Sequence, residues 1–235
     1  MPVLTPTCGR FVPNEAHGLA SGTIRVAERR WTPLPPLLIA TTNLGKLGEL
    51  KILLAGRGLE LTDLRQVDLD LAVVEDGPDY DSIARRKATL YAAASGLWTI
   101  ADDTGLEVDA LGGAPGVRTA RLSEDDASRR AKLLQLLAAH PRPWTARFRC
   151  SVALAGSRGQ TAVGRGVCEG EIVPQERGDH GFGYDPIFLV AGTTHTMAEL
   201  PEAEKNRISH RARAVLDLQA RLERGALPNN PISPR

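Results

Sequence analysis

The chain has 235 residues, of which 42% are hydrophobic and 24% charged, with a formal net charge of +1. This is ordinary globular composition, long enough for a sizeable core, and it excludes a disordered or fibrous class. The near-neutral balance excludes a global field directed at nucleic acid or an anionic membrane, so any anion site must be local.

No apolar run approaches the roughly 20 residues of a membrane-spanning helix, and the first residues lack a signal peptide's basic start and apolar middle. No membrane partner is expected, and the cytoplasm is the expected compartment. Cys8, Cys150 and Cys168 follow no metal-ligand spacing and form no even disulfide set, which suits thiols of a reducing compartment.

Taken in chain order, residues 1–35 carry many prolines and little apolar periodicity. They read as a poorly ordered extension, or as the product of a mis-assigned start codon. One domain is expected over 36–224, because no linker interrupts it, and a flexible tail over 225–235, where Pro228, Pro231 and Pro234 fall. Leu37 to Ala40 reads as a short buried strand, ending in Thr41-Thr42-Asn43, after which Leu47, Leu50 and Leu54 recur at helical spacing. A second helix fits 79–95, with Asp79 as N-cap and Ile83, Leu90, Tyr91 and Ala94 on one face. Trp98 to Ala101 predicts another short strand ending in Asp102-Asp103-Thr104-Gly105, and a helix follows around 124–139. The period then changes: Phe148, Cys150, Val152 and Leu154 alternate, and Gly156 to Gly159 turns the chain into a second strand through Val163 and Val167. A glycine-rich loop, 178–185, and a helix from about 209 close the fold. Strands alternating with helices and then pairing in a hairpin predict an α/β protein with a mixed sheet and two lobes around a cleft.

Six places carry candidate chemistry, each with a bland counterpart. Thr41, Thr42, Asn43, Leu44, Gly45 and Lys46 place a strand end at a helix start, where free N–H groups and the helix dipole suit a phosphate. The alternative is a plain capping segment with a solvent-facing lysine. Asp102 and Asp103, adjacent carboxylates just past a buried strand, suit a hard divalent cation, with an Asp-rich turn closed by Gly105 as the alternative. Adjacent side chains on extended backbone diverge, so one of the pair can face a cleft. Glu75 could add an oxygen ligand or be a solvated loop carboxylate. Lys87 falls on the apolar stripe of the 79–95 helix, either snorkelling or reaching into a ligand cleft. Phe182, Gly183, Tyr184 and Asp185 offer an aromatic face for a purine, or a structural turn. Ser209 is a good N-cap, and His210 and Arg211 in the first turn, with Lys205 upstream, are cations placed against the dipole, which points to an anionic or carbonyl-bearing ligand, or simply to a chain that favours arginine over lysine everywhere.

The order of these pieces is more telling than any one of them. Thr41-Thr42-Asn43-x-x-Lys46-x-x-Glu49, Ala101 to Leu106, Gly112 to Val117, Gly181 to Phe188, Glu204-Lys205-Asn206 and Ser209-His210-Arg211 together resemble the inosine/xanthosine triphosphate pyrophosphatases of the RdgB type, from about 37 to 222. The resemblance implies an elongated two-lobed α/β fold with a central nucleotide cleft, a homodimer, and hydrolysis of ITP, dITP and XTP to the monophosphate and pyrophosphate. It implies Mg²⁺ as cofactor, with Mn²⁺ as a substitute. Carried over by motif position, Asp103 is the catalytic carboxylate and a metal ligand, with Glu75 the other ligand. Thr41 to Lys46, Lys87 and Thr104 line the triphosphate, while Phe182 to Asp185, Lys205, His210 and Arg211 hold the base and its 6-oxo group. Three departures stand out: Ile83 where the bacterial pattern usually has Asn, His180 where it has Gly, and residues 1–35, which have no counterpart.

The rival architecture is a Maf-like pyrophosphatase acting on pyrimidine or modified nucleotides, against which the Phe182–Asp185 and Ser209–Arg211 motifs argue. A sensor that binds nucleotide without hydrolysis would not need Glu75 and Asp103 together. A nucleic-acid-binding protein would need the basic stripe this chain lacks.

Overall fold

The computed structural model describes residues 36–227; the expected extension and residues 228–235 lie outside the described residues. The chain runs β1 (Leu37–Ile39), α1 (Leu44–Leu54), β2 (Leu61–Asp63), α2 (Tyr80–Ser95), β3 (Thr99–Val108), β4 (Pro115–Gly116), α3 (Asp126–Leu137), β5 (Trp144–Ala155), β6 (Thr161–Ile172), β7 (Phe188–Val190), α4 (Glu202–Ile208) and α5 (His210–Glu223). The strands form one mixed sheet in the order β2-β1-β3-β5-β6-β7, with β4 paired to β3. β1 lies parallel to β2 and β3, and the remaining pairs are antiparallel. The α/β class and the mixed sheet are as the sequence predicts. No described helix is long and apolar enough to cross a membrane.

Period-2 alternation along β5 distributes the core between the two faces of the sheet. Cys150, Val152 and Leu154 join Leu37, Ile39 and Ile100 beneath α1 and α5, where Leu50, Leu54, Val215, Leu218 and Leu222 close the layer. Ala153 and Ala155 join Leu38 and Ala101 on the other face, beneath Ala84, Ala88, Tyr91 and Ala92 of α2. Further along the sheet, Trp144, Ala146 and Phe148 pack with Leu133 and Leu137 of α3 and with Phe188 and Met197. Each fully buried leucine in these layers contributes about 1.5–3 kcal/mol of transfer free energy.

Two expectations need correction, and one short helix is added. β3 does not end at Ala101: it continues to Val108, so Asp102-Asp103-Thr104-Gly105 lies inside a strand rather than in a turn beyond one. Its polar residues have weak strand propensity, but the continuous pairing with β5, from Thr99↔Ala155 to Val108↔Ala146, supplies the ladder that overrides it. The packed domain also passes residue 224, because Gly225 and Ala226 hydrogen-bond back to the end of α5 and Leu227 is buried in the α1/α5 layer. Finally, the short helix α4 precedes α5, and Ser209 links the two, ending one and capping the other through a bond from the Ala212 N–H.

α5 carries site residues, so its seat on the sheet matters. It lies over Gly164 and Gly166 of β6, where an added Cβ would overlap backbone atoms of Ala214, Leu218 and His210. The missing side chains let helix backbone touch strand backbone. Gly164→Ala should therefore destabilise the protein by about 2–3 kcal/mol, since the clash is with main chain that cannot turn aside. Urea unfolding checks this; an unchanged midpoint would show that α5 does not depend on the close approach.

Candidate active site

Asp102 and Asp103 sit side by side on β3 and, by strand alternation, serve opposite faces of the sheet. Asp102 is fully buried on the α1/α5 face. Its Oδ2 receives Lys46 Nζ at 3.1 Å, Arg211 Nη2 at 3.1 Å, Arg211 Nε at 3.2 Å and the Thr104 hydroxyl at 2.9 Å. Burial opposes ionisation of Asp102, but Lys46, Arg211 and Lys87 outweigh it and hold the carboxyl well below the usual range. Asp103 faces the pocket. Burial is the largest influence on it and pushes its pKa up to about 6, with Asp102 and Glu75 adding to the rise and Lys87 and Lys46 opposing it.

The helix start at Asn43 combines the two readings offered by the sequence. Asn43 is the N-cap of α1, its Oδ1 accepting from the Lys46 N–H at 3.0 Å. Lys46, however, does not face solvent: its ammonium reaches Asp102 beneath it. The local anion that offsets a lysine in a first helical turn is thus part of the protein.

A third carboxylate, Glu49, completes the buried network and was not among the sequence-predicted site residues. It lies on the inner face of α1, pairs with Arg211 Nη1, and receives Lys205 Nζ at 2.6 Å. Lys205 also reaches Asp185 Oδ2 at 2.6 Å. Burial works against the charge on Lys205, yet Asp185 and Glu49 together hold its pKa above the ordinary lysine value. The cations Lys205 and Arg211 are therefore neutralised internally, and their placement does not by itself require an external anion. The sequence marked Glu49 twice, as the end of the Thr41–Glu49 motif and by its i, i+3 spacing from Lys46, which puts it on the same side of α1. Removing this carboxylate strands two buried cations, so Glu49→Leu should cost about 3–5 kcal/mol of stability. Denaturant unfolding measures this; a loss below about 1 kcal/mol would show that Asp102 and Asp185 suffice.

One pocket gathers Asn43, Lys46, Glu49, Glu75, Asp103, Thr104, Phe182, Gly183, Tyr184, Asp185, Lys205, His210 and Arg211 along its wall. Of the sequence-predicted residues, Thr41, Thr42, Leu44, Gly45 and Lys87 do not line it. Thr41 accepts the Asn43 N–H at 3.2 Å and so shapes the cap from outside, while Leu44 is exposed. Gly45 acts through Phe182: a Cβ there would overlap the Phe182 ring, so glycine leaves the ring its place against the first turn of α1. Lys87 is buried behind the wall, with its ammonium 3.0 Å from Glu75 Oε1. Its charge is held by Asp102, Glu75 and Asp103 against the effect of burial.

The Phe182 ring, against the first turn of α1, lies 5.2 Å from Lys205 Nζ and 5.7 Å from the Arg211 guanidinium carbon. His210 stacks on Phe148 with ring centroids 4.7 Å apart. Burial first, then Arg211 and Lys205, push its pKa well below the ordinary value, so the ring is neutral and presents one donor and one acceptor nitrogen. Its Nδ1 is buried without a hydrogen-bond partner among the described residues.

The residues present fit a hard divalent cation. Asp103 Oδ2 is buried and accepts no hydrogen bond from the described residues, an orphaned oxygen that is costly unless a cation or water satisfies it. Glu75, on the same pocket wall, offers carboxylate oxygen as well. Among the described residues no three His, Cys, Asp or Glu side chains converge as a self-sufficient metal cage. Two carboxylates on one pocket wall match the way Mg²⁺ is held, by one or two carboxylates with water and substrate phosphates completing the shell.

Comparison with known proteins agrees with this geometry. The Ham1 family model matches residues 37–221. The dITP/XTP pyrophosphatase of Gloeobacter violaceus is 46% identical over 189 residues, spanning 80% of this chain and 95% of that protein. The Bacillus subtilis dITP/XTP pyrophosphatase is 41% identical over 190 residues, with 79% and 96% covered. A HAM1 protein from Coxiella burnetii superposes with a TM-score of 0.73 at 36% identity, over 82% of this chain and all 100% of that one. The Ham1 protein of Staphylococcus aureus gives 0.70 at 36% identity, covering 80% and 98%.

Proposed function

The chain belongs to the Ham1 family, and we propose that it is a nucleoside triphosphate pyrophosphatase that converts ITP, dITP and XTP to the monophosphate and pyrophosphate, removing deaminated purines from the nucleotide pool. The observation that carries this reading is a pocket whose wall joins the Asn43–Lys46 helix start, Glu75 and Asp103 with the Phe182 ring, Lys205 and His210. A helix start and carboxylates suit a metal-bound triphosphate, and an aromatic ring beside polar donors suits a purine.

In this reading the triphosphate lies against the start of α1, where the dipole and Lys46 favour negative charge. Water attacks the α-phosphorus, the bond from that phosphorus to the α–β bridging oxygen breaks, and pyrophosphate departs. Asp103, on the pocket wall with an oxygen free of any hydrogen bond from the described residues, takes the proton of the attacking water. Lys46, steadied by Asp102, offsets the charge that builds on the leaving pyrophosphate. Asp103 and Glu75 would hold a magnesium ion, or manganese in its place, which would supply charge neutralisation and polarisation of the phosphoryl oxygens. The purine stacks on Phe182. A 6-oxo group is an acceptor where adenine has an amino donor. Lys205, with one of its three ammonium hydrogens left after Glu49 and Asp185, together with His210 and Arg211, favours the former by roughly 2–5 kcal/mol.

The same family resemblance supports a homodimer, and the free, buried thiols of Cys150 and Cys168 suit a cytoplasmic setting. The balanced net charge of +1 speaks against a nucleic-acid partner.

Incubation with Mg²⁺ and ITP, XTP, ATP, GTP or dTTP, following pyrophosphate against orthophosphate, tests the proposal. ITP and XTP should be preferred, with one pyrophosphate per monophosphate; orthophosphate as the sole product, or a preference for dTTP, would sink it. Asp103→Asn should lower turnover by about 10²–10⁴-fold while leaving a folded protein that still binds triphosphate. Full activity in that variant would remove Asp103 from the role of base.

A further inference from the structure

The glycine-rich loop that carries Phe182 has little stiffness of its own. Gly181 and Gly183 flank the aromatic residue at φ +76° and +65°, left-handed conformations that glycine adopts and leaves at small cost. Within the loop the Phe182 N–H donates to Asp185 Oδ2 at 3.0 Å. What ties the next peptide group to the rest of the fold comes from α3, more than fifty residues away in sequence. The Gly183 N–H donates to Asp126 Oδ2 at 2.8 Å, and the Gly183 carbonyl accepts from Arg130 Nη1 at 2.9 Å. Both polar groups of one glycine are held by two side chains one helical turn apart.

Those side chains are themselves fixed. Asp126 Oδ1 accepts from Arg129 Nη1 at 2.6 Å, and Arg129 is anchored on the carbonyls of Ser123 and Glu124, each at 3.0 Å. Arg130 grips Glu176 with two bonds of 2.8 and 3.0 Å, in the planar fork geometry that a lysine could not reproduce. Asp126 stands in the first turn of α3, where a carboxylate is favoured by the dipole. A rigid helix end thus holds a pliable loop at the residue next to the ring, and the ring in turn rests against Gly45.

We propose that Asp126 and Arg130 are positioning residues that clamp Gly183 and thereby hold the Phe182 ring in its purine-stacking pose. Arg130 does not line the pocket; Asp126 does, but its two carboxylate oxygens are engaged by the Gly183 N–H and by Arg129. Their part is to keep the platform from swinging out of the pocket. This rests on the reading of Phe182 as the purine platform. A platform that contacts base equally in ground and transition states changes KM more than kcat when it is loosened.

The test compares Asp126→Ala, Arg130→Met and the conservative Asp126→Asn, whose side-chain carbonyl can still accept the Gly183 N–H. For the first two, KM for ITP should rise about tenfold with kcat within about threefold of the parent, and the ratio of ITP to ATP hydrolysis should fall severalfold. Asp126→Asn should return both towards the parent. Hydrogen–deuterium exchange of the 178–185 peptide, measured without nucleotide, should quicken in the first two variants and not in the third. Unchanged KM, unchanged ratio and unchanged exchange in Asp126→Ala and Arg130→Met would overturn the clamp, as would a lowered melting temperature with the ratio intact. If Asp126→Ala does not fold, Arg130→Met decides. Should the parent enzyme fail on ITP, the functional proposal falls alone: the exchange data still judge the clamp, faster exchange supporting it and equal exchange overturning it.

Discussion

The Asp102 carboxylate is the constraint around which the pocket is organised. A carboxylate fully buried in the middle of a strand stays ionised only if cations and hydroxyls are brought to it. Here they come from three separate elements: Lys46 from α1, Arg211 from α5 and Thr104 from β3 itself. Each of those groups is fixed by the encounter, and Arg211 passes the constraint on through Glu49 to Lys205 and then Asp185. The chain of ion pairs ties α1, β3, α4, α5 and the turn at Asp185 together. Such a network adds little stability over an apolar core of the same volume, but it gives the side chains one arrangement before any ligand arrives.

Strand geometry then separates structure from chemistry. Asp102 and Asp103 are one residue apart, and the pleat sends them to opposite faces. Pairing with Val152 and Ser151 keeps that register from slipping. Asp102 turns its Oδ2 to Lys46, Arg211 and Thr104 and becomes a buttress, while its Oδ1 has no hydrogen-bond partner among the described residues. Asp103 also leaves one oxygen without a partner, but it lines the pocket and burial raises its pKa, which is why it is the carboxylate proposed to meet the metal and the proton. How the two acids divide the work follows from which face each one meets.

Much of this was legible in the sequence because local chemistry sets it. The caps Asn43, Asp79 and Ser209, the alternation through Phe148 to Leu154 and the turn at Gly156–Gly159 all specify their own conformations. The motif order named the family. What the sequence could not convey were contacts between residues far apart in the chain. Lys205 and Arg211 looked like cations awaiting a ligand because Glu49, 162 positions before Arg211, carries no mark of its partner. Lys87 looked like a cleft residue because a stripe position cannot say that Glu75 lies over it. The strand through Asp103 was cut short because propensity is local while the ladder to β5 is not. Asp126 and Arg130 sit in an unremarkable helix start, and only the folded chain brings them to Gly183.

The charge arrangement also gives a reason for the divalent cation. Around the pocket stand six carboxylates, Glu49, Glu75, Asp102, Asp103, Asp126 and Asp185, against six cations, Lys46, Lys87, Arg121, Arg129, Lys205 and Arg211. Nearly every positive charge is already paired. A triphosphate entering alone would meet an environment with no surplus of positive charge and with Asp103 and Glu75 repelling it. With a small cation between carboxylates and phosphate, the same residues change from an obstacle into ligands. The lysines can then serve to orient the substrate, without having to supply its whole counter-charge. A site built this way excludes bare anions and favours those that arrive with metal, a form of selectivity that follows from pairing the protein's own charges first.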